Sequence, residues 1–394
     1  MKILQVVSSF PPAYAYGGAA RAAYDISKTL IKAGHEVTVY TTDVYDVHSR
    51  FKYDKDPIWM NGIKVHHFKN LNNKLAYKNL PIAPTMAFAL NKNIKNFDIV
   101  HLHEYRTFQG NLVHYYAKKY DVPYILHANG SIPKVEKMVR KWLYDTLFGY
   151  KILKNASKLI ALSRTEAEQF KEFGIQEDKI AIIPHGIDLS QYKKLTPKGT
   201  FKKKYGIENS GKKIILYLGR IHRTKGIDFL LKAYAYLIKN MKYKDALLVI
   251  AGPDDGYLND AKQLVTSLKV ADEVVFTRML LGEEKIGAYV DSSVVVNVEP
   301  SNVFGLVPLE AAACSTPVIV SRDNAISGVV HQGEFGFSVK HGDINELAGI
   351  IREMLRNDDL LRELGQRGRK FVFENYGWAN IVNKLEKVYE ELAR

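Results

Sequence analysis

Pro300-Ser301-Asn302-Val303-Phe304-Gly305-Leu306-Val307-Pro308-Leu309-Glu310-Ala311-Ala312-Ala313 joins two apolar runs, residues 294–298 and 317–320. In order, this reads as a buried strand, a glycine-containing loop, a short helix carrying Glu310 one turn in, and another buried strand. Parallel sheets of this kind gather ligands at the carboxyl ends of their strands. Glu310 therefore falls beside a ligand site, with the backbone of Phe304, Gly305 and Leu306 next to it.

Outward from this stretch, the same alternation runs along the chain. Strand patterns fall at 2–7, 37–40, 63–68, 98–101, 124–126, 159–161 and 180–183, with helical patterns such as 20–33, closed by Gly34, and 109–120 between them. The series resumes at 214–218, 247–251, 274–276, 294–298 and 318–320, and after Leu355 only helix is expected. Such alternation gives an α/β fold of parallel sheets covered by helices on both faces. The polar, lysine-rich, strand-free passage 190–210 divides the chain into domains of 1–195 and 196–374.

At 394 residues the chain is too long for one ordinary core and suits two. Its 46% hydrophobic and 25% charged residues are those of a soluble globular protein. No apolar run approaches the ~18–20 residues of a membrane span. Met1-Lys2-Ile3-Leu4-Gln5-Val6-Val7 is short and lacks a cleavage-site pattern, so it reads as a first strand and not a signal. One cysteine, Cys314, rules out an internal disulfide and fits a reducing cytoplasm; in its Ala-rich helix it reads as packing, not nucleophile. The net charge of +14, nine of it within 1–190, calls for anionic company: nucleotide phosphates, an anionic membrane surface or nucleic acid. No nucleic-acid-binding module accompanies the charge, so nucleic acid is not expected.

Gly219-Arg220-Ile221-His222-Arg223-Thr224-Lys225-Gly226 follows a strand and opens a helix running to about Asn240. A helix start offers unpaired N–H groups and a positive dipole end, and Arg220 and Lys225 add two cations. Gly219 is expected to turn the chain sharply and Gly226 to allow close approach. The set matches a diphosphate through charge-assisted hydrogen bonds.

Both segments resemble the retaining glycosyltransferases of family 4. The family signature is a Pro-Ser pair, then Glu, seven residues and a second Glu, with Phe-Gly-Leu between; the second acid falls on Glu310 and the first on Asn302, an amide here. Its Gly-Arg…Lys-Gly element falls on Gly219, Arg220, Lys225 and Gly226. The resemblance implies the GT-B architecture, two facing doubly wound Rossmann-like domains with an interdomain cleft, and a last helix, 375–394, crossing back onto the first domain. It implies that Arg220 and Lys225 hold the donor diphosphate, that Phe304, Gly305 and Leu306 present amides to donor sugar and phosphate, and that Glu310 binds ribose hydroxyls. It also implies no cofactor and no metal, with a UDP-sugar or GDP-sugar as donor substrate.

Asn302 has three readings: it recognises a sugar with differently placed hydroxyls, Glu299 supplies the carboxylate instead, or the chain is a weakly active or non-catalytic sugar-nucleotide binder. The first is preferred, because in this resemblance the leaving phosphate itself accepts the acceptor's proton. Period-two alternation from Val294 leaves the facing of Glu299 open.

In the first half, Pro11-Pro12-Ala13-Tyr14-Ala15-Tyr16-Gly17-Gly18-Ala19-Ala20-Arg21 links strand to helix and resembles the family's glycine-rich loop, with Gly17 and Gly18 where backbone approaches donor sugar and phosphate. Arg21 is either an acceptor-phosphate ligand or a surface charge. His127 and Asn129 follow a strand and, two apart in extended chain, share a face; His127 is a candidate for lining the reaction centre. The family's usual His falls on Asn129, with His127 displaced by two. No Cys/His/Asp cluster shows metal-ligand spacing. Residues 132–155 interleave Lys and Arg with Trp142, Leu143, Leu147 and Phe148; the ordinary expectation is an apolar face packed on the sheet, the alternative a peripheral contact with anionic lipid. Taken together, the expected activity moves a sugar from a nucleoside-diphosphate sugar to a hydroxyl of a glycan, lipid-linked saccharide or other glycoconjugate in the cytoplasm, at or near the membrane's cytoplasmic face.

Overall fold

The computed structural model describes residues 1–13, 18–46, 49–77, 80–132, 138–208, 211–300 and 304–393. The chain forms two units, Met1–Gly186 with Trp378–Arg394, and Ile187–Gly377.

The first unit holds β1 (Lys2–Val6), β2 (Glu36–Thr42), β3 (Ile58–Met60), β4 (Ile63–Phe68), β5 (Ile99–His103), β6 (Tyr124–His127), β7 (Lys158–Ala161) and β8 (Ile180–Ile182). Their order is 3-4-2-1-5-6-7-8, parallel except for β3 against β4. From β1 the chain winds first to β2 on one side and later to β5 on the other, so the β1–β5 neighbourhood is a topological switch point. Helix Gly18–Lys32 and the last helix, Trp378–Leu392, cover one face: Ile26 and Leu30 of the first and Ile381, Leu385 and Tyr389 of the second pack with Ile3, Ile99 and Ile125.

The second unit holds β9 (Lys213–Leu218), β10 (Ala246–Ala251), β11 (Val274–Thr277), β12 (Ser292–Asn297), β13 (Val318–Ser321) and β14 (Gly336–Val339), ordered 11-10-9-12-13-14 and parallel throughout. β10 is buried at every position, as a strand covered on both faces must be. Here the winding reverses between β9 and β12.

Two strands lie outside the expected series. β3 is an edge strand turned back by Asn61-Gly62, both at positive φ (50° and 82°), the hairpin chemistry of a two-residue turn. β14, Gly-Phe-Ser-Val, is too short and mixed to stand out as an apolar run. The break between units also falls earlier than 195/196. Ile187 bridges to Gly377, its N–H donates to the Tyr376 carbonyl at 2.8 Å, and the Tyr192 carbonyl accepts from Arg369 at 2.9 Å. Residues 187–195 are thereby bound to the second unit, and the passage expected to be a linker carries the short helix Thr200–Lys204, whose start is tied to Asp291 through the Lys202 N–H at 2.9 Å. Among the described residues no helix is long and apolar enough to cross a membrane.

Candidate functional site

Because β9 and β12 are neighbours, the loops leaving their carboxyl ends meet. Gly226 shows how closely: at φ +69° a Cβ would lie 2.5 Å from the Val298 carbonyl oxygen, so conformation and space both demand glycine. The chain bends at Gly219, as expected, and the Gly219 N–H extends the ladder to the Ala251 carbonyl at 3.0 Å. The left-handed step comes at Gly226, after a 3-10 turn over Arg223–Lys225, and helix Ile227–Lys239 begins there.

Both expected cations are held by carboxylates. Arg220 Nη1 lies 2.6 Å from Asp255 Oδ2 in an exposed pair, of the kind worth about 0–1 kcal/mol. Lys225 Nζ lies 2.5 Å from Glu299 Oε1, and this pair is mostly buried, the side chains 20% and 13% exposed. Glu299, whose facing the alternation left open, thus turns toward Lys225. The Tyr217 hydroxyl donates to the Arg220 carbonyl at 2.9 Å and so steadies the loop. Burial first, then the Glu299 charge, pushes that phenol above its ordinary range, so it remains a neutral donor.

Glu310 sits in the first turn of helix Val307–Ala313, 9% exposed. Lys285 donates to Oε1 at 2.8 Å and the Tyr289 hydroxyl to Oε2 at 2.9 Å. These two donors orient the carboxylate and leave lone pairs on each oxygen for a ligand hydroxyl. Burial, then Glu310, raises the Tyr289 phenol well above its usual value and holds Cys314 at about 12, so the cysteine is an inert thiol. Phe304 is buried, while Gly305 and Leu306 are partly exposed before the helix. Asn302 lies outside the described residues, as does Gly17; Gly18 is the exposed first residue of its helix. Arg21 is exposed, its Nε 4.0 Å from Asp25 Oδ2. Sequence reasoning missed Lys285, Tyr289 and Asp255. Asp255 had a local signal, an acidic pair straight after a strand, whereas Lys285 and Tyr289 had none.

In the first unit, strand register gathers histidines. His101 and His103 share a face of β5, and His103 is paired with His127 at the end of β6. The rings stack, with centroids 4.2 Å apart for His101–His103, 5.5 Å for His101–His127 and 5.7 Å for His103–His127. His101 Nδ1 meets the Tyr389 hydroxyl at 2.7 Å and His103 Nε2 meets Gln5 Oε1; neither nitrogen of His127 meets a partner among the described residues. Burial, then mutual repulsion, holds His101 and His127 well below the usual imidazole range, and His103 goes to about 3, so all three are neutral at pH 7. Their ligand atoms lie within 4.8 Å of one another, a cluster that sequence spacing did not show. The ring planes differ by only 6–25°.

Asn129 departs from the extended reading. It adopts φ 55°, its amide donates to the His127 carbonyl at 3.1 Å, and its Oδ1 accepts from His185 Nε2 at 2.8 Å. A left-handed residue ends the period-two rule, so Asn129 does not share a strand face with His127. His185, with burial lowering it to about 4, was also missed, although Pro184-His185-Gly186 after β8 echoes Asn129-Gly130 after β6.

Two family models divide this chain between them: "Glycosyltransferase Family 4" matches residues 16–191 and "Glycosyl transferases group 1" matches residues 198–371. The chain is a GT-B glycosyltransferase of the family 4 kind. It is 27% identical to an uncharacterized glycosyltransferase of Methanocaldococcus jannaschii, over 99% of this chain and 98% of that one. It is 25% identical to the N-acetyl-alpha-D-glucosaminyl L-malate synthase of Bacillus anthracis, over 100% and 98%. The fold of this glycosyltransferase matches that of Anabaena HepE, solved in complex with UDP, with a TM-score of 0.76 and 18% identity over the whole of both chains.

Proposed function

We propose that this glycosyltransferase moves a sugar from a nucleoside-diphosphate sugar to a hydroxyl acceptor with retention at the anomeric carbon. The observation that carries the reading is the meeting of the Arg220–Lys225 loop and the Glu299–Glu310 segment at the β9–β12 switch point. A UDP complex of a protein with this fold supports the donor class.

The diphosphate exchanges with Asp255 and Glu299 for Arg220 and Lys225. As the bond from the anomeric carbon to the diphosphate oxygen breaks, its electron pair leaves with the phosphate, and the preset cations and loop amides stabilise the growing charge. The acceptor hydroxyl oxygen bonds the anomeric carbon on the face the diphosphate leaves, and the departing phosphate takes that hydroxyl's proton, so no protein nucleophile is needed. Glu310, oriented by Lys285 and Tyr289, binds the ribose hydroxyls, and Asn302 reads the transferred sugar. The acceptor is a glycan, a lipid-linked saccharide or another glycoconjugate, met at the cytoplasmic face of a membrane. The named Bacillus relative, a synthase joining glucosaminyl to L-malate, supports a hydroxyl acceptor.

Calorimetry with UDP and GDP on the Arg220→Ala/Lys225→Ala double variant tests the anion site; affinity should fall by at least about a hundredfold, since each charge-assisted bond contributes roughly 1.5–3 kcal/mol. Undiminished affinity would sink the reading. Release of free diphosphate from a panel of nucleotide sugars separates an enzyme from a binder, and an inverted anomeric centre in the product overturns retention.

A further inference from the structure

Helix Met138–Tyr144 continues through a π-helical turn at Asp145–Gly149 into helix Tyr150–Asn155. Its inner face is pinned. Arg106 grips the fully buried Asp145 with both forks, Nε to Oδ1 at 2.8 Å and Nη2 to Oδ2 at 2.9 Å, and the Tyr105 hydroxyl donates to Oδ1 at 2.9 Å. Asp145, Gly149, Ile152 and Leu153 are the buried positions.

That register turns the bulky apolar residues outward. Val139 is 78% exposed, Trp142 59%, Leu143 51%, Leu147 52%, Phe148 48% and Tyr150 37%. Residues 139, 142, 143, 147 and 150 form one stripe at helical spacing. The ordinary expectation, an apolar face packed on the sheet, holds for Ile152 and Leu153 and fails for Trp142, Leu143, Leu147 and Phe148. The stripe is flanked by Arg140, Lys151 and Lys154, all exposed, and the one acid of residues 138–155 is the buried Asp145. The neighbouring helix Phe108–Tyr120 joins this surface through His114, bonded to Asn155 at 2.8 Å; burial, then Lys118 and Lys151, lowers that imidazole, which marks both lysines as part of the same positive field.

We propose that this face of the first unit docks on an anionic lipid surface, its aromatic and aliphatic stripe lying in the headgroup–acyl boundary and its basic rim on the lipid phosphates. An outward stripe of Trp, Leu and Phe leaves apolar area exposed to water, and the basic residues along this helix match a negative interface. The inference deepens the acceptor reading above, since docking brings the first unit to a lipid-borne acceptor, but docking itself needs no donor.

The test is co-sedimentation of the full chain with phosphatidylcholine vesicles containing or lacking phosphatidylglycerol, at low and raised salt, without nucleotide. Binding should appear on anionic vesicles, weaken with salt, and fall by about a hundredfold in Arg140→Glu/Lys151→Glu/Lys154→Glu, given roughly 1 kcal/mol per basic residue. Trp142→Ser/Leu143→Ser/Leu147→Ser should lose it too while keeping its thermal unfolding midpoint, because these side chains are exposed. Brominated lipid should quench wild-type fluorescence and fail to quench Trp142→Phe. Absent or variant-insensitive vesicle binding overturns the proposal; so does a concentration-dependent dimer, in sedimentation equilibrium, abolished by the apolar variant, which would assign the face to a second copy. Nucleotide affinity, measured without vesicles, judges the donor reading separately.

Discussion

Lys225 Nζ stands 2.5 Å from Glu299 Oε1, in a pair joining the loop after β9 to the loop after β12. An ammonium so placed divides its three N–H donors and its charge between this carboxylate and an arriving phosphate. Glu299 therefore competes with the donor for Lys225. Glu299→Gln removes the competitor, and affinity for UDP or GDP should rise by about tenfold, taking the partly buried pair as roughly 1.4 kcal/mol. Turnover should fall, because the nucleotide leaves more slowly and Lys225 loses its rest position. Calorimetry and steady-state rates read the two effects; affinity and turnover falling together would reduce Glu299 to a structural strut.

Glu310 is positioned from a helix 25 residues upstream. Glu310→Gln should raise the donor KM about tenfold with kcat little changed, the mark of a contact made equally in ground and transition states. Lys285→Met should do the same in milder form, since Tyr289 still holds the other oxygen. A kcat effect larger than the KM effect in both would place Glu310 in the chemistry and not in ribose binding.

Gly226→Ala should cost about 2–4 kcal/mol in denaturant unfolding, combining left-handed strain with a clash against the Val298 carbonyl. Gly18→Ala, where an added Cβ meets nothing within 4 Å, is the control and should change stability by less than about 0.5 kcal/mol.

The buried histidines set the acid limit. His103 goes to about 3 and His185 to about 4 in the folded chain, against roughly 6.5 unfolded. The unfolded state thus binds protons that the folded state refuses. Stability is full above about pH 6.5 and falls as pH drops from there toward 4, by up to about 1.4 kcal/mol per pH unit per histidine. Urea unfolding at pH 7, 6 and 5 checks this; a flat profile contradicts neutral burial.

Asn302→Glu should change which nucleotide sugar is preferred more than it speeds the present one. A competition assay across donors reads the ratio, and a large gain in rate at unchanged preference would show the amide to be a defect and not a selector.

Local chemistry was legible without coordinates. Arg220, Lys225 and Gly226 lie within one strand-to-helix turn, so their proximity follows from the chain itself, and Asn61-Gly62 carried a hairpin signal in plain view. The partners were not legible. Asp255, Glu299 and Lys285 reach the site from other strands and helices, and nothing in a one-dimensional pattern says which neighbour a charged side chain will choose. Asn129 misled for a different reason: alternation holds only while the backbone stays extended, and it ends at His127.

By itself the amino-acid order determined two parallel sheets, through apolar runs too continuous for one-sided strands, and it determined where glycine-bearing turns offer amides and cations to an anion. Tertiary structure alone decided that the cations rest on carboxylates, that three histidines stack under the last helix, and that the Trp142 face points outward. The physical reason is common to all three. Sheet register and helix rotation are set by the packing of the whole core, and a single buried anchor such as Asp145, gripped by Arg106, turns every side chain on its helix with it.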